Sequence, residues 1–376
     1  MKVYLDNAAT TQLDERVIEA MLPVMRDCFG NPSSIHAHGR EARTWIERAR
    51  KKIAELLQTS PSEIFFTSGG TEADNFALCS SVQSLGVQHI ISSPLEHHAV
   101  LHTLEHLKKL GKIKLSFVNI DGKGNLDMGH LEQLLQDKTK SMVSLMHVNN
   151  EIGNLYDIQA IGEMCRSYGA VFHSDTVQTM GHFVHNLQQL PVDFIVGAAH
   201  KFHGPKGVGF LYINAQTKIE PMIYGGAQER NMRGGTENIY GIVGMAKALE
   251  ISYAEMETHK NHILSLKKRM MEKLTSQIDD VQFNGQSGDL DKSTYTVLNV
   301  SFPPAENNDM LLFNLDIQKI AASGGSACSS GSAIGSHVLR ALQVSPERAS
   351  VRFSFGKYNT IDEVRYVVEK LVESHA

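Results

Sequence analysis

The sequence predicts an α/β protein, with a large domain built on a mostly parallel sheet and a smaller C-terminal α/β domain, and three observations carry that expectation. Helical and strand-like patterns alternate from about residue 14 to residue 213, the order that builds strand-helix-strand units. A helical run from Val243 to Ile278 follows, and beyond it the alternation resumes over a shorter stretch. The length, 376 residues with 42% hydrophobic and 20% charged side chains, is enough for two domains and a large core. The expected division is residues 14–255 for the large domain and 256–376, joined by 1–13, for the small one.

Each element has its own signal. Ala42, Trp45, Ile46, Ala49, Ile53, Leu56 and Leu57 mark one face of a helix, Pro61 interrupts the pattern, and Ile64-Phe65-Phe66 begins a strand. Ala73 to Val82 is helical in period. His89-Ile90-Ile91, Ser141 to Val148 and Ala170 to His173 read as further short strands. In the long run, Leu249, Ile263, Leu266 and Met270 mark a helix that bridges the domains. Strands at Thr296 to Phe302 and Val351 to Phe355, with helices near Met310 and Asp362, make up the smaller domain.

Composition narrows the function. A net charge of −5, from 36 basic and 41 acidic residues, gives no basic face for nucleic acid. Cys28, Cys79, Cys165 and Cys328 are far apart and show no metal-ligand pairing, so free thiols in a reducing compartment, the cytoplasm, are expected. Met1-Lys2 runs straight into Val3-Tyr4-Leu5, leaving no room for a signal peptide, and no apolar segment is long enough to span a bilayer.

The chemistry centres on Val192 to Gly209. Val192, Phe194, Ile195 and Val196 form an apolar strand that ends in Gly197-Ala198-Ala199 and delivers His200-Lys201 at its carboxyl end. Ligands of open α/β sheets sit in the crevice beyond that end, and small residues let a flat ligand approach the backbone. Desolvation there lowers an amine's pKa and favours the neutral form that attacks carbonyls to make a Schiff base. A lone lysine at a strand end can equally point to water; its companions decide. Ser68-Gly69-Gly70-Thr71-Glu72 closes one strand and opens a helix, so free backbone N–H groups and the helix dipole can hold a phosphate, although such a turn can also be only a turn. Glu72 and Asp74 also complement the helix N-terminus. Asp175 follows the strand ending at Ser174 and shares the crevice, where a carboxylate can keep a pyridine nitrogen protonated; as a lone Asp it could be a cap. Lysine, phosphate cradle and carboxylate together favour pyridoxal 5'-phosphate, and no dinucleotide or P-loop motif competes.

With these residues in place the chain resembles a cysteine desulfurase, a fold-type I pyridoxal-phosphate enzyme of the class V aminotransferase superfamily, in the subgroup with a long cysteine loop. The resemblance covers essentially all 376 residues, through YLDNAATT at Tyr4 to Thr11, GNPSS at Gly30 to Ser34, SGGTEADN at Ser68 to Asn75, EHHAV at Glu96 to Val100 and HVNNEIG at His147 to Gly153. It continues through HSDTVQ at His173 to Gln178, HKFHGPKGVG at His200 to Gly209, RGGTEN at Arg233 to Asn238, SGGSACSS at Ser323 to Ser330 and VRFSFG at Val351 to Gly356.

The resemblance implies roles. Lys201 is similar to the lysine that bonds the cofactor, Asp175 to the partner of the ring nitrogen, Gln178 to the donor toward the ring hydroxyl oxygen, and His97 to the imidazole stacked on the ring, with a part in proton transfer. Gly70, Thr71 and His200 match phosphate contacts, Asn150 a cofactor and substrate contact, and Thr236 a phosphate contact from a neighbouring subunit, which implies a homodimer. Asn31, Asn150 and Arg352 are the expected substrate contacts. Because Val351, Phe353 and Phe355 face one way, the Arg352 guanidinium faces the other, where it could grip the substrate carboxylate or meet water. Cys328 lies in SGGSACSSGSAIGS, residues 323–336, where ten of fourteen residues are Gly or Ser, which argues a mobile thiol; Cys28, Cys79 and Cys165 read as core fillers.

The implied reaction turns L-cysteine into L-alanine, with the Cys328 thiolate taking the sulfur as a persulfide for iron-sulfur cluster or thio-cofactor synthesis. Two departures stand out. The family's Ser-x-His-Lys is Ala198-Ala199-His200-Lys201 here, one phosphate-binding hydroxyl short, and the chain stops at Ala376 where longer relatives carry an extension that docks an iron-sulfur scaffold. Selenocysteine lyase, class V aminotransferase and a sulfur-relay adaptor without turnover are the alternatives; Cys328 disfavours the aminotransferase, and Lys201, Asp175 and Arg352 disfavour the adaptor.

Overall fold

The structure, a computed structural model, describes residues 1–305, 308–324 and 335–375. Its strands are β1 (Val3–Tyr4), β2 (Ile64–Thr67), β3 (His89–Ser92), β4 (Lys114–Phe117), β5 (Ser141–Ser144), β6 (Val171–Ser174), β7 (Phe194–Ala198) and β8 (Gly209–Ile213), then β9 (Gln282–Phe283), β10 (Val297–Ser301), β11 (Ile320–Ala321) and β12 (Ser350–Ser354). Its helices are α1 (Glu15–Asp27), α2 (Ala37–Leu56), α3 (Gly70–Leu85), α4 (His98–Lys109), α5 (Met128–Leu135), α6 (Ile158–Ser167), α7 (Ile239–Ala254), α8 (Met256–Gln277), α9 (Leu311–Ile317), α10 (His337–Ala341) and α11 (Ile361–His375).

Seven strands form one sheet in the order β2-β8-β7-β6-β5-β3-β4. The pairs from β7 across to β4 are parallel, while β8 runs antiparallel to both β7 and β2. This inserted strand matters for the site. Gly209 lies opposite Thr67 on one side and Ala198 on the other, so β2 and β7 end at the same sheet edge. A Cβ at Gly209 would sit 2.5 Å from the Gly197 carbonyl oxygen and 2.8 Å from the Gly69 Cα, so glycine is what lets the three segments close together.

Both faces of the sheet are covered, as parallel strands need. Ile46, Ile53, Phe172, Ile195, Ile242 and Leu249 belong to a core under α1, α2, α6 and α7, and Phe76, Val100, Leu104, Phe194 and Val196 to a second core under α3 and α4. A separate core joins Val3 and Leu5 to Leu266, Met270, Val300, Phe353 and Val367 around the antiparallel sheet β12-β10-β9.

The single helix expected from Val243 to Ile278 is two helices. Glu255, at φ −109° and ψ 11°, separates α7 from α8. The reason is tertiary. Ile242, Val243 and Leu249 pack into the core under α1 and α2, whereas Ile263, Leu266, Met270 and Leu274 pack into the core around β10 and β12, and a straight helix cannot serve both. The helix expected to start at Ala73 starts three residues earlier, at Gly70, which brings its first turn up to the sheet edge.

Candidate active site

Asp175 follows β6, Lys201 ends a short turn after β7, and Gly70 and Thr71 begin α3 after β2, so one sheet edge delivers all four to a cavity of about 240 Å³. His97, Asn150, Gln178, His200 and Arg352 line the same cavity. Lys201 Nζ donates to the carbonyls of Ala8 at 2.6 Å and Ala9 at 2.8 Å, and Gln178 Nε2 reaches the Ala8 carbonyl at 3.0 Å. The N-terminal segment therefore closes one wall.

Asp175 is 7% exposed, and its Oδ1 accepts the Val177 N–H at 2.9 Å. Burial pushes its pKa up, against the pull of that N–H and of the Lys201 charge. A buried carboxyl in this state gains most from a cation brought alongside it. His97 caps α4 by accepting the Ala99 N–H on Nδ1 at 3.1 Å, and burial together with the Lys201 charge lowers its pKa to about 4, so it is a neutral ring at physiological pH. His200 is also neutral, its pKa lowered to about 4 chiefly by burial, and its Nδ1 lies 3.2 Å from Thr10 Oγ1.

Arg352 is 1% exposed on β12, opposite the core-facing Val351 and Phe353. It donates to the Asn150 carbonyl at 2.9 Å and to Asp6 Oδ1 at 2.8 Å, and its buried Nε has no hydrogen-bond partner among the described residues. A buried guanidinium at a cavity wall, paired so far with Asp6, has the charge and fork to meet an anion as well. The N-terminus of α3 offers a second place for an anion, because no side chain caps Gly69 and the helix is pressed so close that a Cβ on Gly70 would lie 2.8 Å from Val177 Cγ2. The residues present thus fit pyridoxal phosphate: uncapped helix for phosphate, Asp175 for a protonated ring nitrogen, Lys201 for the aldehyde carbon.

Asn31 and Thr236 lie outside this cavity and are exposed; Asn31 Oδ1 accepts the Ser33 N–H, and the two loops meet where Gln228 Nε2 reaches Ser33 Oγ at 3.2 Å. Cys328 lies outside the described residues. Among the other cysteines, burial raises the pKa of Cys28, Cys79 and Cys165, and none lines the cavity. Ala198 does line it, with a methyl group where a hydroxyl was expected in relatives.

Three contributors escaped the sequence reading. Asp6 and the carbonyls of Ala8 and Ala9 belong to YLDNAATT, a matched stretch with no periodicity of its own. Asp74, expected to complement the helix N-terminus, is 1% exposed and faces the cavity instead; it is Glu72 that accepts the Ser68 N–H at 2.9 Å and pairs with Arg233 at 2.8 Å.

The aminotransferase class-V family profile matches residues 3–367. A cysteine desulfurase IscS of Dictyoglomus turgidum is 44% identical over 99% of this chain and 95% of its own length. Among solved structures, a NifS-like protein superposes with a TM-score of 0.91 at 37% identity over 100% of this chain and 99% of its own. SspA in complex with cysteine gives 0.82 at 30% identity over 96% and 100%. A match across nearly the whole chain, on a sheet edge that assembles the matched motifs into one cavity, settles the descent: the chain belongs to the aminotransferase class-V family.

Proposed function

We propose that the chain is a cysteine desulfurase that uses pyridoxal 5'-phosphate to convert L-cysteine to L-alanine and takes the sulfur on Cys328. The single observation that carries this reading is the cavity where Lys201, Asp175, His97 and Arg352 converge. The names of the relatives and the cysteine complex of SspA agree with it.

When bound, the cofactor supplies an electrophilic carbon for the substrate amine and an electron sink beyond it. The protein supplies the rest. The backbone N–H groups of Gly70 and Thr71 at the α3 N-terminus and neutral His200 would hold the phosphate, Asp175 and Gln178 would orient the ring, and Asn150 and Arg352 would turn the substrate carboxylate. Lys201 Nζ, fixed by two carbonyls, is placed to give and take protons at the substrate carbon, and the neutral ring of His97 covers the other side of the cavity. The Cys328 thiolate attacks the substrate sulfur, an S–S bond forms as the C–S bond breaks, and the methyl carbon of alanine takes a proton. The persulfide then passes to an acceptor such as an iron-sulfur scaffold protein.

The reading extends to assembly. Thr236, exposed and outside its own chain's cavity, is proposed to complete the phosphate site of a second copy in a homodimer. Asn31 is proposed as a substrate contact that this loop brings in. The separate cores support a division into residues 14–255 and 256–376 with 1–13. Free Cys28, Cys79 and Cys165 support a cytoplasmic setting, and among the described residues no helix is long and apolar enough to cross a membrane.

The test is an assay for alanine and sulfide from L-cysteine with and without a thiol reductant. Stoichiometric alanine, with sulfide released by reductant, is expected; a keto acid product would replace the reading with an aminotransferase.

A further inference from the structure

Beside Asp175 stands a group of buried titratable side chains that the proposed mechanism does not use, of which Asp74 also lines the cavity. Asp74 on α3 is 1% exposed, Glu96 before α4 is 0% and His173 on β6 is 0%. Asp74 Oδ1 and His173 Nε2 stand 3.3 Å apart, and each is a buried atom without a hydrogen-bond partner of acceptable geometry among the described residues. On its other side, His173 Nδ1 meets Ser144 Oγ at 2.9 Å. One proton between Asp74 and His173 would satisfy both orphaned atoms.

We propose that Asp74 is a neutral carboxylic acid that donates its proton toward His173 and acts as a positioning residue, leaving Asp175 as the ionised carboxylate of the cavity. Charge decides where the proton sits. Asp74, Glu96 and Asp175 share one buried neighbourhood, and like charges so placed do not all ionise. The proton settles where ionisation has least support. Asp175 has the Val177 N–H and the Lys201 charge, and Glu96 has the Met146 N–H at 2.8 Å. Asp74 has neither a backbone donor nor a cation among the groups that act on it, and burial with its two carboxyl neighbours drives its pKa well above the usual range. Burial keeps His173 neutral, with its pKa lowered to about 3, so a neutral pair replaces two buried charges. Among the described residues, His97, His200, Lys201 and Arg352 are the other titratable groups that line this cavity, and His97 and His200 are neutral.

The proton assignment concerns the chain itself; only its consequence for the ring nitrogen rests on the pyridoxal-phosphate reading, so the first measurement is made without cofactor. Infrared difference spectra of cofactor-free protein, wild type minus Asp74→Asn, should show loss of a protonated-acid C=O band at pH 7 and no lost carboxylate band. Wild-type protein labelled with ¹³C-aspartate should show that band directly, which needs no substitution to fold. In cofactor-loaded protein, the pH midpoint of the visible absorption band should stay in place for Asp74→Asn, because one neutral group replaces another. A carboxylate band lost in Asp74→Asn, no acid band in the labelled wild type, or a midpoint lowered by about one unit or more on removing a true negative charge would each overturn the proposal. Failure of the alanine assay would overturn the desulfurase reading and leave the infrared result standing.

Discussion

Arg352 shows how a single residue can be both legible and misleading. Its strand alternation told which way it faces, and it does face the cavity, yet the two groups that fix it, Asp6 and the Asn150 carbonyl, lie 346 and 202 positions away and leave no local trace. The same holds for Asp74, which was expected to complement the helix N-terminus and is instead buried with His173 of β6 3.3 Å away. Replacing the planar fork by a point charge, Arg352→Lys, should lower kcat/KM for L-cysteine by roughly 10- to 100-fold, the worth of one charge-assisted hydrogen bond of about 1.5–3 kcal/mol. Unchanged steady-state kinetics would remove Arg352 from substrate binding. At Ala198, 1% exposed in the cavity wall, Ala198→Ser should tighten pyridoxal phosphate by about 1 kcal/mol, or roughly fivefold, as followed by cofactor loss on dialysis. Weaker retention would mean that the phosphate oxygen nearest Ala198 is already satisfied. Cys328→Ser should keep the cofactor, bind L-cysteine with a spectral change and then lose turnover by orders of magnitude, since a serine hydroxyl is protonated at neutral pH. Alanine released at the wild-type rate would make the thiol a bystander.

At the scale of elements, the placement of α3 against the sheet edge is what brings a Gly-Gly-Thr turn to the cavity proposed to hold the phosphate. The helix begins without a side-chain cap, and its first residue touches Val177 of the segment that carries Asp175 and Gln178. Gly70→Ala puts a methyl group 2.8 Å from Val177 Cγ2, so either the helix or that segment must shift. Overpacking of this kind costs about 1–3 kcal/mol, and a shift at the helix N-terminus also pulls N–H groups from the phosphate. Both the thermal midpoint of the cofactor-free protein and cofactor retention should therefore fall; a loss of stability alone would show that α3 does not hold the phosphate. Strand-turn-helix order was readable from residues 64–82 because each piece has its own period. The break at Glu255 was not, since helical periodicity continues on both sides of it and only the existence of two separate cores forces the bend.

Over the whole molecule, burial of histidine sets how the protein responds to acid. The chain has 18 histidines that look alike in sequence, but His97, His182, His185 and His200 have pKa values lowered to about 4, and His173 and His203 to about 3, in every case chiefly by burial. Above pH 6.5 these rings are neutral in both the folded and the unfolded chain and favour neither state. As pH falls below 6.5 the unfolded chain takes up protons that the folded one refuses, so stability is lost progressively toward pH 4. Each ring that the fold keeps neutral adds to this loss, and the six act in the same direction over the same pH range. Carboxylates act later and lower. Asp14, held far below its usual range by its hydrogen bonds with Arg16 and Lys357, gives up its contribution only in strong acid. Asp74, Glu96 and Asp175, with raised values, favour the folded state more as pH falls and offset part of the loss. The thermal midpoint of the cofactor-free protein, measured at one scan rate, should fall only slightly from pH 8 to 7, where burial keeps Lys267 at a pKa of about 7 while the unfolded chain holds that proton, and then drop by on the order of 10 °C between pH 6.5 and 5. A midpoint that stays level down to pH 4.5 and falls only where carboxylates protonate would show that these rings take up protons within the folded chain at little cost, and that acid acts through the ion pairs instead.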